Sequence, residues 1–184
     1  MGLSDIFIRR PAAPRADLVW ITRDAMLKCT LKFISGNKTD ICVAWFDDTR
    51  ERMHRFLNEE NSVKIEIKSA SSLQPYHLER KRVLFFEHYP LYTRESRLLS
   101  GCNAAGITFM SSFDDIILRM FGGNISGLMR RLGLEEDQYI ESPMVSRAII
   151  RAQKKLEKKV RDDFYVRSGE EWMNSYVMMH GKGI

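Results

Sequence analysis

Glu87 and His88 stand side by side near the end of the run RVLFFEHY (82–89), where a strand of an α/β sheet delivers residues to a ligand crevice. A carboxylate beside an imidazole can pass a proton, which is general acid–base chemistry. No nucleophile or third member accompanies them, so the same pair also reads as a hydrogen-bonded strand ending. Asp47 and Asp48 follow a second hydrophobic run, ICVAWF (41–46), as acids do where they position magnesium in nucleotide hydrolases. They equally suit a helix start, with Asp48 and Glu51 spaced as a capping box. His54 and His77 lack metal-ligand company, and no metal site is expected.

A different chemistry runs along Ser142–Arg161, SPMVSRAIIRAQKKLEKKVR. Ser142 before Pro143 marks a helix start, and Val145, Ile149, Ala152, Leu156 and Val160 fall on one side of the wheel. Arg147, Arg151, Lys154, Lys158 and Arg161 fall on the other as a basic ridge. Such a ridge is either a solvated face or a docking surface for an acidic protein, a lipid headgroup or nucleic acid. SGNKT (35–39) has the composition of a phosphate loop, but Asn37 separates glycine from lysine and a strand follows, so it reads as a turn.

The elements that must position these residues alternate. A basic, proline-containing arm (1–16) precedes a short strand, DLVWIT, and Thr22 caps a helix with Leu27, Leu31 and Ile34 on one face and Gly36 as its stop. ICVAWF is apolar throughout, as in a strand buried on both faces of a parallel sheet. A helix burying Met53, Phe56 and Leu57 follows, then a strand at VKIEI (63–67) and a connector at Ser71–Lys81 broken by Pro75. RVLFFEHY, a short helix from Thr93 to Leu99 closed by Gly101, and ITFMSSF complete the alternation. The pattern predicts an α/β fold, a doubly wound and mostly parallel sheet over 17–113. From Asp114 the pattern is wholly helical to residue 184, with DDIILRMF, ISGLMRRL and the ridge helix; periodicity leaves the tail with Trp172 and Tyr176 undecided. Met110, Met120, Met129 and Met144 read as core filler.

The 184 residues carry a net charge of +5, basic but short of a dedicated nucleic-acid binder. Cys29, Cys42 and Cys102 are odd in number and form neither a disulfide framework nor a zinc spacing, which points to a reducing cytoplasm. No apolar run is long enough to span a bilayer.

FDDIILRMFGGNISGLMRRLGLEEDQYIESPMVSRAIIRAQKKLE resembles the segment that leaves the second nucleotide-binding domain of the SecA preprotein translocase family. The likeness rests on Asp114, Asp115, Arg119, Phe121, Met129, Leu132 and Gly133, then Ile140, Glu141 and Val145 to Ile149, then Ala152 to Lys155 and Glu157. Upstream, RPAAPRADLVWIT, ICVAWFDDTRERMHRFL and the Glu95-Ser96-Arg97 of a motif that precedes the family's arginine-finger helix resemble it more thinly, over roughly residues 9 to 158. The resemblance implies a RecA-like helicase lobe followed by a small helical extension, and adds Glu95 and Arg97 to the polar candidates. Departures from the family are equally specific. SGCNAAG (100–106) stands where the family carries two arginines, which in phosphoryl transfer are worth roughly 10³–10⁵ in rate. No P-loop or first nucleotide-binding domain is present in the sequence.

The expectation is a non-catalytic SecA-like lobe without a cofactor, binding of ATP or ADP without hydrolysis being left open. It would bind a protein partner, of the Sec machinery by resemblance, from the cytoplasm or the inner-membrane surface. Two alternatives are a nucleic-acid-binding lobe using Arg10, Arg15 and the ridge, and an enzyme using Glu87 and His88.

Overall fold

In the computed structural model, residues 14–59, 65–121, 135 and 138–180 are described, apart from the side chains of 116, 120 and 121. Six strands form one sheet in the order β3-β2-β4-β5-β1-β6: β1 Arg15–Trp20, β2 Ile41–Ala44, β3 Ile67–Ser69, β4 Arg82–Phe85, β5 Gly106–Ser112 and β6 Tyr139–Glu141. β1 to β5 are parallel, and β6 runs antiparallel along β1. The helices are α1 Arg23–Gly36, α2 Asp47–Glu59, α3 Tyr92–Leu99, α4 Ile116–Phe121, α5 Pro143–Glu157 and α6 Gly169–His180.

Side chains alternate across the sheet and sort the helices onto two faces. Leu18, Trp20, Cys42, Ala44, Leu84, Phe86 and Met110 point to one face, where they meet Met26 and Ile34 of α1 and Met53 and Leu57 of α2. Val43, Val83, Phe85, Ile107 and Phe109 point to the other, against Leu98 of α3 and the connector residues Leu73 and Leu78. On that side Val19 and Phe113 pack on Leu118, Val145 and Ile149 from α4 and α5. The sheet is therefore doubly wound, as the alternation of runs predicts. All four β2 residues are buried, which is why that stretch is apolar without alternation.

Several local expectations change. On α1 the buried face is Met26, Thr30 and Ile34, with Leu27 and Leu31 only half-buried against it. Gly36 stays helical; Asn37 ends the helix by bonding the Phe33 carbonyl through both backbone and side chain, and Lys38 takes the left-handed φ of 50°. Gly101 does close α3, at φ 74°. Pro75 begins a 3₁₀ turn, Pro75–Leu78, instead of breaking one, since a first-turn proline gives up no hydrogen bond. The third strand lies at Ile67–Ser69, later than VKIEI; of that run, Val63 and Lys64 are outside the described residues. So are arm residues 1–13, Gly122-Gly123, ISGLMRRL and Met129. Arg15 and Ala16 belong to β1. The region after Asp114 is not wholly helical, because β6 joins the sheet edge over three residues, too short for a periodic signal.

Ser142 caps α5 by accepting from the Met144 amide at 3.2 Å, and Val145, Ile149, Ala152 and Leu156 are buried along it. The helix stops at Glu157. Tight turns from Lys159 to the Leu156 carbonyl and from Val160 to the Glu157 carbonyl follow, so Arg161 lies beyond it. Ser142→Ala removes the side-chain acceptor and is expected to cost about 1 kcal/mol of stability in urea unfolding.

Candidate functional site

The crossover after β2 leads outward to β3, and that after β4 leads the opposite way to β5. Between β2 and β4 the chain thus diverges, with α2 on one face and α3 on the other. Open α/β sheets place ligands outside the carboxyl ends of the strands at such a point. Here Trp45 and Phe46 leave β2, and Phe86, Glu87 and His88 leave β4.

Glu87 turns toward the start of α2. Its Oε1 accepts from the Trp45 and Phe46 amides, each at 3.1 Å, and its Oε2 accepts from the Thr49 hydroxyl at 2.7 Å. The two amides just ahead of α2 are thus held by the protein's own carboxylate, and the Asp48 amide of its first turn by the Arg167 carbonyl. Burial pushes Glu87 up to about 7, against the lowering effect of these bonds, and nearby Asp115 adds to the rise.

His88 turns the other way. Its ring stacks on Phe109 at 4.5 Å and donates from Nδ1 to Glu95 Oε1 at 3.0 Å, while Nε2 faces Asp17 Oδ1 at 3.5 Å without a hydrogen bond. Glu95 also accepts from the Tyr89 amide, and Arg15 reaches both Asp17 and Glu95 while lying over the Phe109 ring. Burial alone would raise the Asp17 carboxyl, but His88 and Arg15 outweigh it and hold Asp17 below the usual carboxylate range. Glu87 and His88 therefore do not bond to each other. Consecutive residues at a strand end face opposite sides of the sheet, and each finds separate partners.

Residues 163–180 cover the crevice. Asp163 Oδ1 accepts from the Tyr89 hydroxyl, at 2.8 Å, and from Trp172 Nε1, at 2.9 Å; Oδ2 accepts from Arg94 Nε at 2.7 Å. The Arg167 carbonyl accepts from the Asp48 amide, and its guanidinium bonds Asp48 and Glu51. Asp48 and Glu51 are thus not a capping box: both lie inside α2, and the two carboxylates meet an arginine from the far end of the chain. Gly169 lies against Phe46, where an added Cβ would come within 3.4 Å of the ring. Trp172, Met173 and Tyr176 fill a cluster with Phe46, Tyr89, Leu91, Ile117, Ala152 and Leu156.

Beneath this cover remains a cavity of about 160 Å³. Glu87 and His88 line it from β4, Arg23 from α1, Thr49 and Arg52 from α2, Asp115 from the loop after β5, and Glu170 from α6. Burial also raises Asp115, opposed by the Ser112 amide and by Arg23 at 3.3 Å.

The other candidates lie apart. Asp47 is exposed and pairs with Arg50 within α2. Glu95 is in the buried network, whereas Arg97 is exposed on α3. Arg147, Arg151, Lys154, Lys158 and Arg161 are exposed, with Lys154 Nζ 4.4 Å above the Tyr92 ring. The 35–39 turn sits at the amino end of β2, beside α1's C-terminus, whose carbonyls repel phosphate. His54 Nδ1 meets the Asn58 amide, and His77 Nδ1 accepts from the Gln74 backbone. No group of three potential metal ligands converges among the described residues, and no described helix is long and apolar enough to cross a membrane. Sequence reasoning missed Asp17, Arg23, Asp163 and Arg167. A charge inside an otherwise apolar strand was the only local signal, and it was present for Asp17 alone.

No protein-family model matches the chain. Among curated proteins, 50 residues are 52% identical to the protein translocase subunit SecA of Nitratiruptor sp. and 54% identical to that of Symbiobacterium thermophilum, covering 27% of this chain and 6% of each relative. A longer match of 100 residues is 36% identical to SecA of Rubrobacter xylanophilus, covering 52% of this chain and 11% of the relative. The chain thus carries a SecA-like segment on an α/β fold with a C-terminal helical extension, and spans 6% to 11% of the length of these curated relatives.

Proposed function

We propose that the chain is a non-catalytic, SecA-like helicase-lobe module that acts by binding, as an accessory to protein export. In this reading residues 17–113 form the RecA-like lobe, 114–184 the helical extension and 1–16 a basic arm. The observation that supports it is that Glu87 occupies the two amides leading into α2 at the sheet's switch point. A phosphate approaching them would meet a carboxylate and displace three hydrogen bonds. The cavity beside it, about 160 Å³, is also smaller than the roughly 300–1,000 Å³ of ordinary ligand pockets. The resemblance adds that SGCNAAG lacks the arginines of the family's hydrolytic site.

The partner surface is the exposed ridge of Arg147, Arg151, Lys154, Lys158 and Arg161, and the partner an acidic surface of the Sec machinery at the cytoplasmic side of the inner membrane. Nucleic acid is the second reading, favoured by the same five exposed cations but weakened by Arg15, whose guanidinium is committed to Asp17 and Glu95.

Thermal unfolding with magnesium-ATP or magnesium-ADP is expected to match that of the chain alone, since a ligand of the native state must raise the midpoint. Phosphate release should stay at background. Magnesium-dependent turnover overturns the non-catalytic reading, whereas a raised midpoint without turnover shows nucleotide binding alone. Capture of purified Sec components, lost on reversing Arg151 and Lys154 to Glu, supports the partner; retention only of single-stranded oligonucleotide selects the second reading.

A further inference from the structure

The cavity holds one charge that its walls do not balance. Asp115 and Glu170 both pair with Arg23, and Asp48 pairs with Arg167. Glu87 has hydrogen bonds but no Lys or Arg nitrogen within ion-pair distance among the described residues. Arg52 lines the cavity but is exposed, on a long side chain that solvent can hold. The apolar part of the walls includes Met26, Leu27, Met53, Phe86, Ile117 and Leu118, and the remainder of the lining is polar. A cavity of about 160 Å³ matches a group the size of benzene, which an apolar cavity of about 150 Å³ accommodates.

We propose that this cavity is a binding site for a small organic cation, an amidinium or ammonium group on a short apolar stem, with Glu87 as its counter-ion. The stem would lie against the methionine, leucine and phenylalanine walls, and the cationic end would reach the free side of Oε2, whose other partner is the Thr49 hydroxyl. Taken out of water, that ion pair is worth more than a surface one, and the carboxylate already has its two amide bonds to hold it in place. Anions of the same size would be refused by the same group. The inference does not depend on a role in export.

Benzamidine is the probe, titrated into the ¹⁵N-labelled chain. Saturable shifts are expected at the Trp45 and Phe46 amides, which donate to Glu87, and none with benzoate. Affinity should rise between about pH 6 and about pH 8 as Glu87 ionises. The charged or titratable groups facing it are Arg23 from α1, Asp48 and Arg52 from α2, His88 and Asp115 at the strand ends, and Glu170 from α6. Glu87→Gln keeps an acceptor for the two amides and a donor for Thr49, and is expected to weaken benzamidine at least about tenfold. Leu27→Trp, which fills the cavity from α1 and leaves the carboxylate intact, should abolish binding and serves if the first variant does not fold. Absent shifts, equal binding of benzoate, or undiminished binding by both variants overturns the proposal.

Discussion

Glu87→Gln is expected to be more stable than the wild type at about pH 8 and to match it at about pH 4. The carboxyl titrates at about 7 in the folded chain against an ordinary 4.5, because burial outweighs its three hydrogen bonds. A group raised in this way favours the fold fully below its unfolded value, and the contribution is lost as pH rises through 7. The amide reproduces the protonated form at every pH. The difference between 4.5 and about 7 sets a ceiling of about 3 kcal/mol on the gain above neutrality. Paired urea titrations of the two proteins at both pH values measure it directly, and the difference between them removes the other titrating groups. Among those, Asp17 and Asp163 have lowered values, so their contributions are present above the ordinary 3.8 and disappear in acid. If the glutamine variant is the less stable at about pH 8, the two amide bonds outweigh desolvation and the carboxylate is a net stabiliser of the turn ahead of α2.

Trp172→Ala is expected to lose about 3–5 kcal/mol, the usual range for a large aromatic removed from a packed interior. Trp172 is fully buried among Phe164, Met173, Tyr176 and the lobe residues Phe46 and Tyr89. It also donates from Nε1 to Asp163, whose carboxylate holds the Tyr89 hydroxyl and Arg94. Against a total stability of roughly 5–15 kcal/mol, the loss brings the whole chain close to unfolding. Met178→Ala, at a side chain 85% exposed on the same helix, should stay within about 0.5 kcal/mol. Urea midpoints of both variants read the contrast. A cooperative, near-wild-type transition for Trp172→Ala would show that the cover over the crevice adds little to the lobe beneath it.

Much of what lay within about one turn of the chain was legible in advance, though the Asp48–Glu51 capping box and the Gly36 stop were not borne out. Thr22 and Ser142 cap their helices through side chains that reach two or three residues ahead. ICVA is buried on both faces as its unbroken apolar run requires, and the 3.6-residue spacing of Val145, Ile149, Ala152 and Leu156 marked the inner face of α5. These are local preferences, encoded where they act. The site could not be read that way. Glu87 accepts from amides about forty residues earlier, just ahead of α2, and Arg167 meets Asp48 across 119 positions. α6 is buried at Trp172, Met173 and Tyr176 because one end of the sheet needed covering, a demand made by the assembled lobe. Charges are paired by whichever groups the completed fold brings within a few ångströms. Composition and spacing therefore named most of the elements, and tertiary packing chose which carboxylate would be left without a cation.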